Sequence, residues 1–388
     1  MYLQITLIVA ILSQINIAAA WAREEPSIQH PRLVLPRFPI HRRTTDQDYV
    51  NYVIAASNQM MTWYDASTGL FDGAWWNSAN VVTTLANFYE KFPDEIGHIT
   101  DQVFPTTLVQ APKALGYTGF LNGFYDDELW WALAWIKVFD VTGEERYLTQ
   151  AALIFEDAKI SYGSSSCGAL WWDKSHSGTN SVENELYLTT AAKLANRLPS
   201  TPSSGYYYSE AIKSYNWFVG SGLINSDNLI NDHLSASPDC ANDFSTSIFT
   251  YNQGILLSGL TELAWSAPDP AMYNDLANTL AMAGLAHFTD ANGLLHELVC
   301  EPNCSADLQQ FKGIFSRNIL FMINRMNGIT DAQRATYIKF LQVNANSIWA
   351  NDQVDNQLGV VWSGPKGAVT IQTQSSALDV IVGAACVS

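Results

Sequence analysis

Basic residues are scarce in this chain of 388 residues. It carries 20 Lys and Arg against 37 Asp and Glu, which gives a net charge of −17 at pH 7. Nucleic acids and anionic membrane surfaces are bound through clusters of Lys and Arg. The charge balance therefore argues against both as partners, and it is typical of a protein that acts on a neutral polymer.

Cysteine is also rare. In an exported chain the five cysteines allow at most two disulfides and leave one thiol over: Cys167, Cys240, Cys300, Cys304 and Cys386. Since Cys300 and Cys304 share one Pro- and Asn-containing loop, we expect at least one bridge from that loop to the loop of Cys240. No Cys or His spacing matches a metal motif. The sequence predicts neither a metal nor a cofactor.

Long apolar runs are absent. The run over residues 7–12 leads to the small residues at 18–22, which predicts a signal peptide over residues 1–22. It falls well short of the roughly 20 apolar residues that a membrane span needs. Near the other end, residues 377–387 are mildly apolar but include Asp379, which argues against a lipid-anchor signal. We therefore expect a secreted, unanchored protein, and a glycoprotein if the one sequon, at Asn303, is used.

Strand-like alternation is scarce as well, and only residues 359–372 suggest a short hairpin or loop. Apolar residues recur at helical spacing over 129–143, 144–160, 181–198, 253–265, 271–288 and 311–326. No Pro/Ser-rich linker divides the chain, so residues 23–388 are expected to form a single domain. About 30 residues per helix and loop allow twelve helices, which suits an all-α (α/α)6 barrel of six helical hairpins. A helical solenoid or irregular bundle is the alternative.

The most informative segment is Tyr125-Asp126-Asp127-Glu128, which runs directly into Leu-Trp-Trp. Glycoside hydrolysis needs two carboxyl groups at one bond, one protonated and one ionised. Tryptophan supplies flat apolar faces on which a sugar ring can lie. Acidic residues in a first helical turn also cap free N–H groups and interact with the helix dipole, which is the simpler interpretation of the same residues.

The chain resembles glycoside hydrolase family 76, the α-1,6-mannanases and their fungal cell-wall relatives. The resemblance extends from about residue 64 to 376, and the order of five segments carries it: 72–76 (Asp-Gly-Ala-Trp-Trp), 125–127 (Tyr-Asp-Asp), 170–174 (Leu-Trp-Trp-Asp-Lys), 250–254 (Thr-Tyr-Asn-Gln-Gly) and 311–317 (Phe-Lys-Gly-Ile-Phe-Ser-Arg). The family implies an (α/α)6 barrel and a retaining mechanism. One departure is Thr179, where the family usually has Lys.

Carried over from the family, Asp126 is the nucleophile and Asp127 the general acid/base. Retention needs the two carboxyl groups about 5–5.5 Å apart, and adjacent residues meet this only where the backbone turns at a helix mouth. The charge of Asp126 and partial burial should raise the pKa of Asp127. The reversed assignment remains open, and Glu128 is expected to support the helix start.

Ten further residues are candidates for sugar contact: Tyr125, Trp76, Trp130, Asp173, Asn180, Asn184, Tyr251, Asn252, Gln253 and Lys312. Amides can donate to and accept from sugar hydroxyls at once. Each candidate also has a structural interpretation. The tryptophans can fill the core, Asn252 and Asp173 can cap helices, and Lys312 can balance the acidic charge.

These observations together predict a secreted, monomeric, retaining endo-α-1,6-mannanase that hydrolyses α-1,6-linked mannan. A cell-wall mannan transglycosylase with the same two aspartates is the nearest alternative, because the first half-reaction is shared. A non-catalytic glycan-binding protein is the alternative from another class.

Overall fold

The computed structural model describes residues 46–114, 116–198, 205–235, 240–242 and 247–387. The predicted signal peptide over residues 1–22 lies outside these ranges. Twelve α-helices occur in the described residues: α1 Asp46–Met60, α2 Trp75–Tyr89, α3 Pro93–Ala114, α4 Tyr125–Thr142, α5 Glu145–Ser161, α6 Ser181–Arg197, α7 Tyr206–Gly220, α8 Thr250–Ser266, α9 Ala271–Phe288, α10 Phe311–Arg325, α11 Asp331–Ser347 and α12 Ile371–Val387.

Extended structure is confined to two small antiparallel hairpins among the described residues. The strands are β1 Tyr64–Asp65, β2 Leu70–Phe71, β3 Gln353–Val354 and β4 Gln357–Leu358. The segment predicted as hairpin or loop over 359–372 is irregular up to the start of α12, and the hairpin lies just before it. Single turns of 3-10 helix occupy Met61–Trp63 and Leu308–Gln310, and a π-helical turn occupies Ile348–Asp352.

The even-numbered helices form a closed inner ring. Each packs against the next, from α2 through α4, α6, α8 and α10 to α12, and α12 packs against α2 again. Each odd-numbered helix lies outside and packs against an inner neighbour. The ring closure confirms the predicted (α/α)6 barrel and excludes an open solenoid.

Burial differs between the two sets of helices, as the ring requires. In inner helix α8 every residue from Thr250 to Ala264 is buried, whereas outer helix α3 buries only one stripe. A helix that is covered on all sides is expected to be apolar on all faces, whereas an outer helix needs only one apolar face.

Two glycines allow the inner helices to approach one another closely. A Cβ on Gly254 of α8 would lie 2.7 Å from the Cα of Phe315 in α10. A Cβ on Gly313 of α10 would lie 2.5 Å from the Cα of Ser376 in α12. Both distances are shorter than carbon atoms tolerate, so only glycine fits where these backbones meet.

Helix boundaries follow the local signals. Gly143 adopts the left-handed conformation with φ 73° and ends α4, and its N–H donates to the carbonyl of Phe139 at 2.8 Å. Asn180 precedes α6, and its N–H donates to the Glu183 carboxylate at 2.5 Å. Helix α8 begins at Thr250, three residues earlier than the apolar spacing indicated.

The disulfides correct one prediction. Two bridges and one free thiol are present as expected, but Cys300 pairs with Cys304 across 4.6 Å between Cα atoms. Cys240 pairs instead with Cys167. The expected link from the loop of Cys300 to the loop of Cys240 is therefore wrong, because the loop after α7 lies against the loop after α5.

Partly buried ion pairs join the C-terminal ends of the inner helices at one end of the ring. Arg197 of α6 binds Asp140 of α4 at 2.6 Å and Glu262 of α8 at 2.9 Å. Glu90 at the end of α2 binds Lys137 of α4 at 2.7 Å and Arg325 of α10 at 2.6 Å. Positive side chains are favourable at helix C-termini, and each here has a carboxylate partner.

A cavity of about 50 Å³ lies inside the ring and is lined by residues such as Trp130, Lys193 and Arg317. This volume holds a few water molecules and is too small for a sugar. The opposite end of the ring, at the helix N-termini, is the candidate for a ligand site. Across the described residues, no helix is long and apolar enough to cross a membrane.

Candidate active site

The N-terminal ends of the inner helices meet at that other end. Asn77 of α2 donates to Gln310, just before α10, at 2.8 Å, and Gln310 donates to Ser375 of α12 at 3.0 Å. The first turn of α4 holds Asp126 and Asp127, both half-buried. Helix N-termini carry partial positive charge, so this end of the ring favours carboxylates.

Asp126 is held by an indole. The Nε1–H of Trp172 donates to Asp126 Oδ2 at 3.0 Å. The other oxygen, Oδ1, is buried and accepts no hydrogen bond from a described residue. One oxygen of Asp126 is thus fixed in position, and the second remains free to react.

Asp127 is held by a different donor. Asn122 Nδ2 donates to Asp127 Oδ2 at 2.8 Å, while Asn122 Oδ1 accepts from the N–H of Phe124 at 2.8 Å. The amide of Asn122 is therefore oriented by its own loop before it meets the carboxyl group. Since each aspartate has its own side-chain partner, neither serves only to cap the helix.

Glu128 supports the helix start from below and is fully buried. One of its oxygens accepts from the N–H of Asn122 at 2.6 Å and binds Lys174 at 2.7 Å, and Lys174 also binds Asp157 of α5 at 2.8 Å. Burial raises the pKa of Glu128 to about 7, against the lowering effect of Lys174. This carboxyl contacts the backbone of Asn122 and the Lys174 side chain, which is a supporting position at the helix start.

A short backbone ladder sets the position of the loop after α5, which we call the 170 loop (residues 162–180). The N–H of Tyr125 donates to the Trp172 carbonyl at 3.0 Å, and that of Lys174 donates to the Gly123 carbonyl at 2.9 Å. The Tyr125 hydroxyl binds Ser161 at 2.6 Å. These bonds fix the register of the loop on α4 and bring the Trp172 indole to Asp126.

Burial and mutual repulsion separate the two aspartates in acidity. Burial raises the pKa of Asp126 to about 6, against the lowering effect of the Trp172 N–H and the backbone N–H groups of the helix start. Burial and then the charge of Asp126 raise the pKa of Asp127 well above its usual range, against the effect of Asn122. Asp127 is therefore the better holder of a proton in this pair.

On the α2 side of the pair, Trp76 and an exposed carboxylate form a second contact between an indole and an acid. Trp76 Nε1 donates to Asp307 Oδ1 at 3.2 Å, and its ring stacks on Trp130 with centroids 5.9 Å apart. The charge of Asp307 adds to the raised pKa of both Asp126 and Asp127. We call the partly exposed space around the aspartates, between Trp172 and Trp76, the cleft.

On the α6 and α8 side, polar groups lie beneath Asp126. Tyr251 is buried and stacks on Phe311 with centroids 3.8 Å apart. Burial raises the pKa of the Tyr251 hydroxyl, and the charges of Asp232 and Asp126 add to this. Asp232 is partly exposed and accepts from Asn252 Nδ2 at 3.4 Å.

The family model of glycosyl hydrolase family 76 matches residues 51–387. This chain belongs to glycosyl hydrolase family 76. The α-1,6-mannanase of Salegentibacter sp. HEL1_6 has a similar structure, with a TM-score of 0.76 and 22% identity over 88% of this chain and 100% of that one.

An inactive variant of that mannanase, in which two consecutive aspartates are replaced by alanine, is bound to α-1,6-mannotetrose; its TM-score is 0.77 at 21% identity, again over 88% and 100% of the two chains. Dfg5 from Chaetomium thermophilum, in complex with glucosamine, has a TM-score of 0.73 at 17% identity over 88% of this chain and 91% of that one. At these identities the likenesses show the fold. A search of curated proteins found no match.

Several predicted sugar-binding residues of this family 76 protein hold its loops together. Asp173 accepts from Ser175 and from the N–H and hydroxyl of Ser177 at 2.6–3.0 Å. The side chain of Asn184 is fully buried and bonds to the backbone of Leu170 and Asn180. Asp173 and Asn184 thus shape the 170 loop.

The same is true of two residues on α8 and α10. Gln253 donates to and accepts from the backbone of Ile230 at 3.0 Å, which ties the loop after α7 to α8. Lys312 is 1% exposed, pairs with Glu301 and donates to the Val360 carbonyl at 2.7 Å. Its ammonium group lies among protein atoms, which is the structural role that the acidic composition suggested.

Of the remaining candidates, Tyr125 directly precedes the pair in the chain, and Trp76 stacks on Trp130 of α4. Asn252 is fully buried and its Oδ1 accepts from no described residue. The sequence did not single out Asn122, Asp232 or Asp307 for the site, because each lies in a loop without periodicity. Asn122 precedes the pair by four residues, so the Asx-turn spacing to Phe124 was a usable signal.

Proposed function

We propose that this family 76 protein is a secreted, retaining endo-α-1,6-mannanase that acts as a monomer on α-1,6-linked mannan. The observation that carries the proposal is the pair Asp126 and Asp127 in the first turn of α4, each partly exposed and each held by a separate donor. The mannotetrose complex of the Salegentibacter enzyme supports the substrate class. The substrate is neutral, which suits the low content of basic residues.

In the first step Asp126 acts as the nucleophile. A carboxylate oxygen attacks the anomeric carbon, the bond from that carbon to the 6-oxygen of the next mannose breaks, and Asp127 gives its proton to the departing oxygen. The Trp172 N–H orients Asp126 and stabilises its anion, so that the carboxylate is ionised while its neighbour is protonated.

In the second step Asp127 acts as the base. Once Asp126 is esterified its charge is gone, so the pKa of Asp127 falls and its carboxylate can accept a proton from water. The water attacks the anomeric carbon from the side that the leaving sugar vacated, and Asp126 is released. The two inversions give a product with retained configuration.

The unequal acidity of the two residues favours this assignment over the reversed one. Asp127 must carry the proton, and the charge of Asp126 disfavours ionisation of Asp127. Asp126 must be ionised, and the N–H of the Trp172 indole stabilises its anion. Azide with an activated substrate tests this directly. The Asp127→Ala variant should give an α-mannosyl azide with retained configuration, and the Asp126→Ala variant at most a β-mannosyl azide with inverted configuration; the opposite pattern reverses the roles.

The substrate is tested by incubating the purified protein with linear α-1,6-mannan and separating the products with time. Early release of oligosaccharides of mixed length supports endo hydrolysis. Products longer than the substrate, formed only when an acceptor oligosaccharide is added, identify a transglycosylase instead. Binding without any turnover identifies a glycan-binding protein.

Secretion and the monomeric state are further parts of the proposal. The two disulfides support export, since such bonds persist in oxidising compartments. Fractionation of cells that produce the full chain tests export, and light scattering tests the monomeric state.

A further inference from the structure

Asp307 is an exposed carboxylate that is held in a fixed position. It immediately precedes the 3-10 turn Leu308–Gln310, and Gln310 is fully buried between α2 and α12. Gln309 donates to the carbonyl of Cys304 at 3.0 Å and accepts from Thr370 at 2.7 Å. A disulfide-closed loop on one side and two anchored glutamines on the other restrict the backbone at Asp307.

Its carboxylate is also oriented. The Trp76 indole donates to Asp307 Oδ1 at 3.2 Å. Oδ2 accepts no hydrogen bond from any of the residues that the structure describes, and Asp307 is exposed. One face of the half-buried Trp76 ring stacks on Trp130, and its N–H edge is directed at the Asp307 carboxylate.

This arrangement lies beside the catalytic aspartates. The charge of Asp307 acts on both Asp126 and Asp127. Trp172 contacts Asp126 from the 170 loop, on the α6 side of α4, whereas Trp76 belongs to α2 on the other side. Each side of the pair therefore carries an indole whose N–H is given to a carboxylate.

A flat ring beside an oriented carboxylate matches the chemistry of a sugar. The apolar face of a pyranose packs on an indole, and an ionised carboxylate accepts hydrogen bonds from two hydroxyls at once. We propose that Asp307 and Trp76 form a sugar-binding subsite next to the catalytic pair, in which the Asp307 carboxylate accepts from the hydroxyls of a mannosyl unit. The inference rests on the proposed function and adds a specificity residue to it.

The test compares sugar binding with and without the carboxylate. The background is the inactive double variant Asp126→Asn, Asp127→Asn, titrated calorimetrically with α-1,6-mannotetraose. Adding Asp307→Asn should weaken binding about tenfold, the usual effect of losing a hydrogen bond to a charged group. Asp275→Asn removes the same charge from the exposed surface of outer helix α9 and should leave the affinity unchanged.

A second readout separates a role in the cleft from a purely structural one. Burial, Asp126 and then Asp307 raise the pKa of Asp127, and Glu128 adds to this while Asn122 opposes it. In an otherwise wild-type protein, Asp307→Asn should therefore move the alkaline limb of kcat to lower pH and raise KM. A lower melting temperature with an unchanged affinity and an unmoved limb would show that Asp307 only fastens the loop.

The outcomes distinguish this inference from the function on which it rests. If the inactive parent binds mannotetraose and Asp307→Asn binds it equally well, the subsite is wrong and the mannanase proposal stands. If the wild-type protein does not cleave α-1,6-mannan and the inactive parent does not bind mannotetraose, both the subsite and the mannanase proposal are wrong.

Discussion

Replacing Asp126 with Asn should stabilise the folded protein while abolishing catalysis. Burial holds the pKa of Asp126 at about 6, against an ordinary value of 3.8. Between these two pKa values the folded chain keeps a proton on Asp126 that the unfolded chain has released. The free energy of unfolding therefore falls as pH rises from about 4 to about 6. Asn cannot ionise, and its amide oxygen can still accept from Trp172, so the variant avoids this cost.

The magnitude follows from the shift. A difference of about 2 pKa units corresponds to about 3 kcal/mol at 1.36 kcal/mol per unit. Residual solvent contact of the carboxyl reduces the effect, so a gain of about 1–3 kcal/mol at pH 7.5 is expected. At about 2 °C per kcal/mol for a chain of this size, the melting temperature should rise by about 2–6 °C.

Differential scanning calorimetry at pH 4 and pH 7.5 is the assay. The gain should be large at pH 7.5 and much smaller at pH 4, where the folded state is still protonated at this position and the unfolded state is only partly ionised. Asp173→Asn is the matched control of opposite sign, because hydrogen bonds from Ser177 and Ser175 outweigh burial and lower the pKa of Asp173. The Asp173 carboxylate stabilises the folded protein at pH values above its pKa in the unfolded chain. This stabilisation is lost as pH falls through its lower pKa in the folded chain, so Asp173→Asn should lower the melting temperature at pH 7.5. A lower melting temperature for Asp126→Asn at pH 7.5, or a gain independent of pH, would refute the reasoning.

Three further predictions concern the pair and its ring. The pH profile of kcat/KM should have an acid limb near pH 6, the pKa of Asp126. Trp172→Phe should move this limb to higher pH, because the N–H that is lost stabilises the Asp126 anion. An unmoved limb would contradict this contact. Asn122→Ala should lower kcat by about tenfold or more, since a hydrogen bond to the acid is lost, with little change in melting temperature; unchanged steady-state kinetics would count against it. Gly313→Ala should lower the free energy of unfolding in urea by about 1–3 kcal/mol, because the new Cβ would lie 2.5 Å from a backbone atom of α12. In the control Gly97→Ala the new Cβ meets nothing within 4 Å, so this variant should be neutral or stabilising. Equal effects of the two substitutions would contradict the close helix approach.

The barrel was predictable from the sequence because its physical causes are local. Helical spacing, the breaker Gly143 and the length of chain per helix all depend on neighbouring residues. The position of the aspartates at a helix mouth was accessible for the same reason. Gly313 shows the limit, since nothing in its own sequence reveals that Ser376 lies against it.

The surroundings of the aspartates were harder to predict, because they depend on contacts between distant segments. Asp307 meets Trp76 across 231 positions, and both ends of that contact depend on the closed ring. Lys312 and Gln253 resemble sugar ligands by residue type, yet their side chains satisfy buried backbone groups. Residue type alone cannot distinguish a polar group that faces a ligand from one that faces the protein.

The most direct test of the account is the anomeric configuration of the first product from linear α-1,6-mannan, followed by proton NMR within seconds to minutes of mixing. Attack by Asp126 followed by attack of water predicts that the α-anomer of the new reducing end appears first and that the β-anomer grows only by mutarotation. Initial release of the β-anomer would mean a single displacement by water and would contradict the assigned role of Asp126.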